Sequence, residues 1–428
     1  MMKFPILTVT GLALLACRPA PRIERADVER VIGTLAADSM LGRQAFTPAA
    51  DEAAAFIRAQ FASLGLEKLD GLDDYLQRFS VYGFTPRTAV VRLNGRVVPS
   101  GQAIVAAAAD SVHWRTGDSV RVVVIGPADD PMQALWTAFT QRGNALVLLN
   151  TKHRQAFEMV KRAFSGPARG VERNGHARVV VLTGETAART FQVDATAAVE
   201  QVPAANVVGM IPGRRRDQIV VFSAHYDHIG IQRPVNGDSI ANGANDDASG
   251  TTAVIELARY FKAAGTPERT LVFAAFTAEE AGGFGSQYFS RQLAPDRIVA
   301  MLNIEMIGKP AASGRNHVWI TGFERSSLGK IMQDAVRGTD YVFEPDPYPK
   351  EDLFYRSDNA TLARLGVPAH SISTTPIDVD QDYHRVSDEV RTLDLDHLTN
   401  TIRAIAAGAA PIVSGQATPT RVDATQVR

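Results

Sequence analysis

Histidine and carboxylate residues recur in five short clusters in the second half of the chain, and both side-chain types bind divalent metal ions. The clusters are His225 with Asp227, Asp246 alone, Glu279 with Glu280, Glu305 alone, and His384 with its neighbour Tyr383. A borderline-soft cation takes histidine nitrogen and carboxylate oxygen as ligands. Each cluster alone is weak evidence, because Glu-Glu pairs and His-x-Asp triplets arise often by chance. Their joint placement decides whether they form a site.

Apolar strands precede most of these clusters. Residues 219–224, 271–276, 298–304 and 367–372 are mostly apolar runs, and helical patterns such as 248–264 separate them. Strands of this kind predict an α/β fold with a mostly parallel sheet and helices on both faces. In open α/β sheets, ligands bind outside the carboxyl ends of the strands. We therefore expect the clusters to meet at one edge of the sheet.

The motifs around these residues, taken in order, resemble those of the co-catalytic, two-zinc aminopeptidases and their glutamate carboxypeptidase-like relatives. The motifs are His-Tyr-Asp-His at 225–228, Gly-Ala-Asn-Asp-Asp-Ala-Ser-Gly at 243–250, Glu-Glu-x-Gly-x-x-Gly-Ser at 279–286, Asn-x-Glu-Met-Ile-Gly at 303–308 and Asp-Tyr-His-x-x-x-Asp at 382–388. The resemblance covers residues 26–85 and 200–410. It implies a zinc aminopeptidase-like fold and a peptide substrate.

The resemblance also implies a metal-binding role for five matched residues. Asp246 would bridge two Zn²⁺ ions, with His225 and Glu305 completing one site and Glu280 and His384 completing the other. Two metal ions held close together polarise a scissile carbonyl and generate a nucleophile from water near neutral pH. The expected cofactor is therefore two Zn²⁺ per chain.

Three further residues receive catalytic or supporting roles from the same resemblance. Glu279 would act as the general base, and Tyr383 would donate a hydrogen bond to the oxyanion of the tetrahedral intermediate. Asp227 would orient His225, as carboxylates commonly orient metal-binding histidines.

Two details complete the comparison with the family's pattern. The resemblance implies a cis peptide bond between Asp246 and Asp247. Better-known members carry Asp where this chain has Glu305, and the extra methylene moves the carboxylate outward. The remaining histidines are expected to be surface or packing residues: His228, His113, His153, His176, His317, His370 and His397.

The chain divides into several segments on sequence alone. Residues 26–85 and 200–410 form the expected metallopeptidase domain, and 86–199 form an inserted, β-rich module that resembles a protease-associated domain. A helix is predicted over 393–407. Residues 411–428 form a polar tail, predicted to be frayed after Ser414.

Residues 1–17 predict a lipoprotein signal peptide. Lys3 precedes an apolar run, and Leu-Leu-Ala-Cys at 14–17 resembles the bacterial lipobox, with the only cysteine of the chain at its end. Lipidation of Cys17 would anchor the protein in the cell envelope, at the outer membrane or on the periplasmic face. The 428 residues carry a net charge of −1, which gives no basic field for nucleic acid, and we expect no obligate protein partner.

The favoured function is a lipid-anchored aminopeptidase that removes N-terminal residues. A carboxypeptidase or dipeptidase of the same fold is the first alternative. A non-catalytic, receptor-like ectodomain and a glutaminyl cyclase are more remote, because relatives of those kinds lack the intact motifs that this chain retains. No Gly-x-Ser-x-Gly elbow, P-loop or dinucleotide fingerprint is present in the sequence.

Overall fold

The structure is a computed structural model that describes residues 21–427, except 142, 165 and 167. The predicted signal peptide and Cys17 lie outside the described residues. Within the described part of the chain, no helix combines the length and apolar character needed to cross a bilayer.

The described residues form nine α-helices and eighteen strands. The helices are α1 Arg25–Leu35, α2 Pro48–Ser63, α3 Pro131–Thr140, α4 Arg154–Ala163, α5 Gly250–Ala264, α6 Phe284–Phe289, α7 Leu328–Ala335, α8 Asn359–Ala363 and α9 Leu395–Val413. The strands are β1 Glu67–Lys68, β2 Leu76–Leu93, β3 Arg96–Val97, β4 Ala103–Ala109, β5 Ser111–Arg115, β6 Val120–Ile125, β7 Asn144–Asn150, β8 Ala168–Gly170, β9 Asn174–Thr183, β10 Phe191–Ile211, β11 Arg215–His225, β12 Gly230–Val235, β13 Asp238–Ala241, β14 Arg269–Phe276, β15 Ile298–Ile304, β16 His317–Ile320, β17 Val342–Pro345 and β18 Ala369–Ser373.

A large mixed sheet forms the centre of the molecule. Its main path runs β17-β16-β18-β15-β11-β14-β10-β2-β3. The four central strands β14, β11, β15 and β18 are parallel to their neighbours in this group. The outer neighbours β10 and β16 pair antiparallel with them. The predicted α/β class is confirmed, but among the described strands of this sheet the parallel pairing is limited to the central strands and to β16 with β17.

Alternate residues of the central strands face two separate apolar layers. On β11, Phe222 joins α1, α2, α5 and α9 in one layer. Its neighbour Val221 faces the other layer, which α6 and α8 cover. Because successive strand side chains point to opposite faces, a strand covered by helices on both sides is mostly apolar. The ionisable residues of the clusters follow the points where these strands end.

The segment predicted as an insertion forms a second, smaller sheet. Its strand order is β4-β9-β7-β6, with α3 and α4 packed on one face. The other face packs against the ribbon formed by β2 and β10, which extends from the main sheet. The sequence analysis predicted a β-rich segment here but neither strand β4 nor helix α4, in which Phe157 and Val160 supply the buried side.

The C-terminal segment differs from its prediction. Helix α9 continues to Val413, beyond the predicted end, with Pro411 in its last turn. The following residues are docked rather than frayed: Arg421 donates to the carbonyl of Ile298 at 2.8 Å, and Val422 is buried. Arg269 also donates to the carbonyl of Ala417 at 2.6 Å. Hydrogen bonds from arginines to main-chain carbonyls leave no pattern in the tail's own sequence.

Candidate metal centre and active site

The expected site residues follow the carboxyl ends of neighbouring strands. His225 is the last residue of β11, Glu279 and Glu280 lie in the turn after β14, and Glu305 follows β15 directly. His384 lies in the loop between β18 and α9. The structure brings all of them to one edge of the sheet.

Asp246 lies in an irregular turn, Ala244–Ser249, that leads into α5. Its peptide bond to Asp247 is cis, as the resemblance implied. The carboxylate of Asp388 accepts hydrogen bonds from the backbone N–H groups of Asn245 at 2.9 Å and Asp246 at 3.1 Å. Asp388 therefore ties this turn to the loop that carries His384.

Asp247 joins three elements behind the site. Its carboxylate accepts from the N–H of Gly250 at 2.9 Å, of Met306 at 3.1 Å and of His225 at 3.4 Å. A Cβ at Gly250 would lie 2.2 Å from the carbonyl oxygen of Ile304, so only glycine permits this close approach. The first turn of α5 is thereby fixed against the ends of β11 and β15.

The two carboxylate oxygens of Asp246 face two different histidines. Oδ1 lies 3.2 Å from His225 Nε2, which is itself 3.3 Å from Glu305 Oε1. Oδ2 lies 3.2 Å from His384 Nε2, which is 3.2 Å from Glu280 Oε2. Asp246 thus stands between two histidine–glutamate pairs.

The electrostatics of this cluster favour a positive charge at both pairs. Hydrogen bonds with Asp246 and Glu280 raise the pKa of His384 to about 10. Burial opposes ionisation of His225, but the charge of Glu305 and hydrogen bonds with Asp246 and Glu305 outweigh it and raise the pKa of His225 well above its usual value. Burial also opposes ionisation of Asp246, yet hydrogen bonds with the two histidines hold its pKa well below the usual range.

The donor set fits a pair of zinc-type sites. Metal–ligand distances of about 2.0–2.1 Å in a tetrahedral site place ligand atoms roughly 3.3 Å apart. The four histidine–carboxylate separations described above, 3.2–3.3 Å, agree with this spacing. Buried imidazole and carboxylate groups are also the ligands such a metal prefers. His225, Asp246 and Glu305 therefore form one candidate metal-binding group. Around Asp246 and Glu280, both His228 and His384 lie close enough to take part in a second group.

One cavity of about 270 Å³ contains every predicted site residue except Asp227. Burial raises the pKa of Glu279 well above that of a free carboxyl group. Burial, together with the charges of Asp246 and Glu280, also raises the pKa of Tyr383, which keeps its hydroxyl protonated as a hydrogen-bond donor. The Tyr383 ring stacks on His384 with centroids 4.0 Å apart.

Side chains beyond the metal-binding groups form the walls of the same cavity. Apolar walls come from Met306, Trp319, Leu353 and Ile377, and polar ones include Ser357, Ser371, Ser373, Thr375 and Arg356. Among the described residues, none from 86–199 lines the cavity. The inserted module therefore does not form its walls.

Asp227 acts through different atoms from those expected. His225 Nδ1 lies 3.1 Å from the main-chain carbonyl of Asp227 but 3.8 Å from its carboxylate, which is too long for a hydrogen bond. The carboxylate instead accepts from the backbone N–H of Glu279 at 3.1 Å. Asp227 thus orients His225 with its backbone and fixes the Glu279 turn with its side chain.

The expectation that His228 is a surface or packing residue is wrong. His228 is 1% exposed, and its Nδ1 lies 2.8 Å from Glu280 Oε1. Its position three residues after His225, in the same motif, was the available signal.

The sequence also gave no role to Arg43 and Lys309. Lys309 contacts Asp380 at 2.5 Å and Asp382 at 2.8 Å, which ties the loop after Glu305 to the loop that carries Tyr383. Arg43 is fully buried and donates to four main-chain carbonyls, those of Leu35, Tyr226, Asn242 and Gly243.

Comparison with known sequences gives a consistent result. Residues 206–409 match the model of peptidase family M28. The chain is 31% identical over 207 residues to leucine aminopeptidase 1 of Paracoccidioides brasiliensis (strain Pb18), covering 45% of this chain and 51% of that protein. It is 28% identical over 210 residues to leucine aminopeptidase 1 of Trichophyton rubrum, covering 47% and 56%. The chain thus spans about half the length of the curated relatives it matches.

Solved structures resemble the whole molecule. An aminopeptidase from Aneurinibacillus sp. strain AM-1 matches with a TM-score of 0.53 at 19% identity, over 92% of this chain and 94% of that one. BSAP, a zinc aminopeptidase from Bacillus subtilis, matches with a TM-score of 0.54 at 17% identity, over 92% and 97%. At these identities the likeness shows the fold. Residues 206–409, which match peptidase family M28, carry every residue of the metal-binding groups.

Proposed function

We propose that this protein is a metallo-aminopeptidase that holds two Zn²⁺ ions and hydrolyses the first peptide bond of its substrate. The observation that carries the proposal is the position of Asp246, whose two oxygens each lie 3.2 Å from a different histidine. The names of the matched relatives, leucine aminopeptidase and zinc aminopeptidase, support the same reading.

The chain's own residues would hold the two ions in two groups that share Asp246. His225 and Glu305 would complete one group, and His384 and Glu280 the other. When bound, such a pair of ions polarises the scissile carbonyl and lowers the pKa of water, so that a hydroxide nucleophile is available near neutral pH.

Glu279 would move the proton. It lines the same cavity as the metal-binding groups, and Asp227 holds its backbone N–H. A carboxylate oxygen of Glu279 would accept a proton from the attacking water and pass it to the leaving amine. Buried carboxyl groups with raised pKa values suit this exchange at neutral pH. Adjacent Glu280 would bind the metal, so the two neighbouring glutamates would divide binding and chemistry.

Tyr383 would stabilise the negative charge that develops on the carbonyl oxygen. Its hydroxyl stays protonated, and its ring is held against His384. Donors fixed in advance near a developing oxyanion contribute several kcal/mol of transition-state stabilisation. The Lys309 contacts with Asp380 and Asp382 would keep this tyrosine in place.

A carboxypeptidase or dipeptidase is the second candidate, and Arg356 favours it. Arg356 lines the cavity. Its guanidinium lies 3.4 Å from the Glu351 carboxylate, and this long contact leaves it able to bind a substrate carboxylate. An aminopeptidase needs no such cation, whereas a peptide whose C-terminus enters the cavity would use it.

A substrate panel tests the proposal directly. Zinc-loaded protein is assayed on leucyl amides, dipeptides and tripeptides with free or acetylated amino termini. The proposal predicts cleavage after the first residue of free peptides and loss of cleavage on acetylation. Equal rates on both, with release of C-terminal residues, would favour the carboxypeptidase. No hydrolysis by a protein that retains its metal would refute a peptidase function.

The location of the protein remains a separate proposal. The lipobox at 14–17 supports lipidation of Cys17 and anchoring at the cell envelope. Fractionation of cells that express the Cys17→Ser variant tests this, because the variant should leave the membrane fraction. Wild-type recovery of mature variant in the membrane would refute the anchor.

A further inference from the structure

His228 is held rigidly beside the candidate metal centre. Its ring packs against Gly243, where a Cβ would lie 2.5 Å from the ring carbon Cγ. Its backbone N–H donates to the carbonyl of Arg43 at 3.3 Å. The ring therefore has little freedom to turn, and its contacts are set by the fold.

Glu280 is the hydrogen-bond partner of this buried imidazole. Nδ1 lies 2.8 Å from Glu280 Oε1, and within the described chain Nε2 has no hydrogen-bond partner. A carboxylate only accepts hydrogen bonds. The ring proton therefore belongs on Nδ1, from which it is donated to Oε1.

The distances distinguish a metal ligand from a hydrogen-bond donor. His228, Asp246 and Glu280 offer atoms within 4.8 Å of one another, close enough for a shared metal. However, ligand atoms around one tetrahedral zinc lie roughly 3.3 Å apart. His228 Nδ1 is too close to Glu280 at 2.8 Å and too far from Asp246 Oδ2 at 3.8 Å. His384 Nε2, at 3.2 Å from both residues, matches that spacing.

The other metal-binding group contains a similar arrangement. Ser357 Oγ donates to Glu305 Oε2 at 2.7 Å, and Glu305 Oε1 faces His225 Nε2 at 3.3 Å. Glu280 likewise has Oε1 held by His228 and Oε2 facing His384. Each glutamate thus has one oxygen fixed by a donor and the other directed at the metal-binding histidine.

We infer that His228 is a positioning residue that orients Glu280 for metal binding by donating from Nδ1 to Oε1. This inference rests on the proposed metal centre but not on any particular substrate. Without the donor, the Glu280 carboxylate could rotate or accept from water, and binding of the ion would have to order it again. Outer-shell partners of this kind typically change metal affinity about 10–100-fold.

Two amide variants separate the Nδ1 donor from the rest of the ring. The amide of His228→Asn lies near the position of Nδ1 and keeps the donor, whereas that of His228→Gln extends to the position of Nε2. Zinc titrations of metal-free protein against a chromophoric chelator give the affinity of each binding step. X-ray absorption of the zinc-loaded proteins counts the bound imidazoles.

The expected result is that His228→Gln weakens one zinc step about 10–100-fold and leaves the other unchanged. His228→Asn should stay within about threefold of the wild type, and the imidazole count should be the same in all three proteins. Ser357→Ala, as a matched control, should weaken the other step.

Three results would overturn the inference. Unchanged zinc affinity in the folded Gln variant would remove any role for His228. Equal losses in the Asn and Gln variants, with one fewer bound imidazole, would make His228 a ligand instead. A wild-type protein that binds no zinc would refute the metal centre itself, which the titration shows before any variant is compared.

Discussion

Glu305 Oε1 lies 3.3 Å from His225 Nε2, although better-known members of the family have the shorter Asp at this position. The extra methylene extends the carboxylate far enough for its second oxygen to accept from Ser357 at 2.7 Å. The side chain of Glu305 thus places one carboxylate oxygen beside His225 and the other within hydrogen-bond distance of Ser357.

Shortening or removing Glu305 should have different effects on metal binding. Glu305→Ala removes the carboxylate that faces His225, so we expect loss of one zinc ion per chain while the other is retained. Glu305→Asp keeps a carboxylate but moves it away from Ser357, so partial activity should remain. Elemental analysis after gel filtration in zinc-buffered solution measures both. Two zinc ions retained by the Ala variant would show that Glu305 is not a ligand.

Arg43 should be essential for stability. It donates to the carbonyls of Leu35 and Tyr226 at 2.7 Å each, of Asn242 at 2.6 Å and of Gly243 at 2.9 Å. Each buried carbonyl left without a partner costs about 1–3 kcal/mol. Arg43→Met should therefore lower the free energy of unfolding by more than about 4 kcal/mol or prevent folding.

Urea unfolding with a matched surface arginine measures this effect. Arg30 is half-exposed and pairs with Asp27 on the same helix, so Arg30→Met should change the free energy of unfolding by about 0.5 kcal/mol or less. An Arg43→Met protein as stable as the Arg30→Met protein would contradict the assignment.

His370 should make stability fall as the solution becomes acidic. Its Nδ1 lies 2.8 Å from the carbonyl of Thr321. Burial lowers the pKa of His370 to about 4, and that carbonyl opposes the shift only in part. In the unfolded chain the pKa is about 6.5. Between these values the unfolded chain binds more protons, so the contribution of His370 is complete above about pH 6.5 and declines as the pH falls to 4.

The His370→Gln variant isolates this contribution. The difference between the folded pKa of about 4 and the unfolded pKa of about 6.5 corresponds to about 3 kcal/mol of folding stability. The stability difference between wild type and variant, measured at saturating zinc from pH 7.5 to 4.5, should therefore shrink by about 2–3 kcal/mol. A stability difference that stays constant across this range would show that the pKa of His370 is the same in the folded and unfolded chains.

The placement of the metal-binding groups could be predicted from the sequence because it follows from local rules. Strands buried on both faces are mostly apolar, so polar residues such as His225 and Glu305 stand out where β11 and β15 end. Parallel central strands then bring those ends together. The motif order supplied the family, which the match over 206–409 confirms.

The supporting contacts could not be predicted in the same way. Arg43 and Asp388 form hydrogen bonds with main-chain groups. Because every residue has a main chain, the sequence does not indicate which residues will be their partners. Asp388 is 142 residues from Asp246 along the chain. His228 could have been noticed from its motif, but only the position of Glu280 distinguishes it from a packing histidine.

The central claim is that Glu279 performs chemistry while Glu280 binds metal, and one comparison tests it most directly. Glu279→Gln keeps the side-chain size but cannot accept the proton of water, so kcat should fall at least about 10²-fold, with near-normal KM and full zinc content. Glu280→Gln should lose zinc as well as rate. Steady-state kinetics and zinc analysis on the same preparations give the answer. A Glu279→Gln protein that turns over peptide at the wild-type rate with full zinc content would contradict the account.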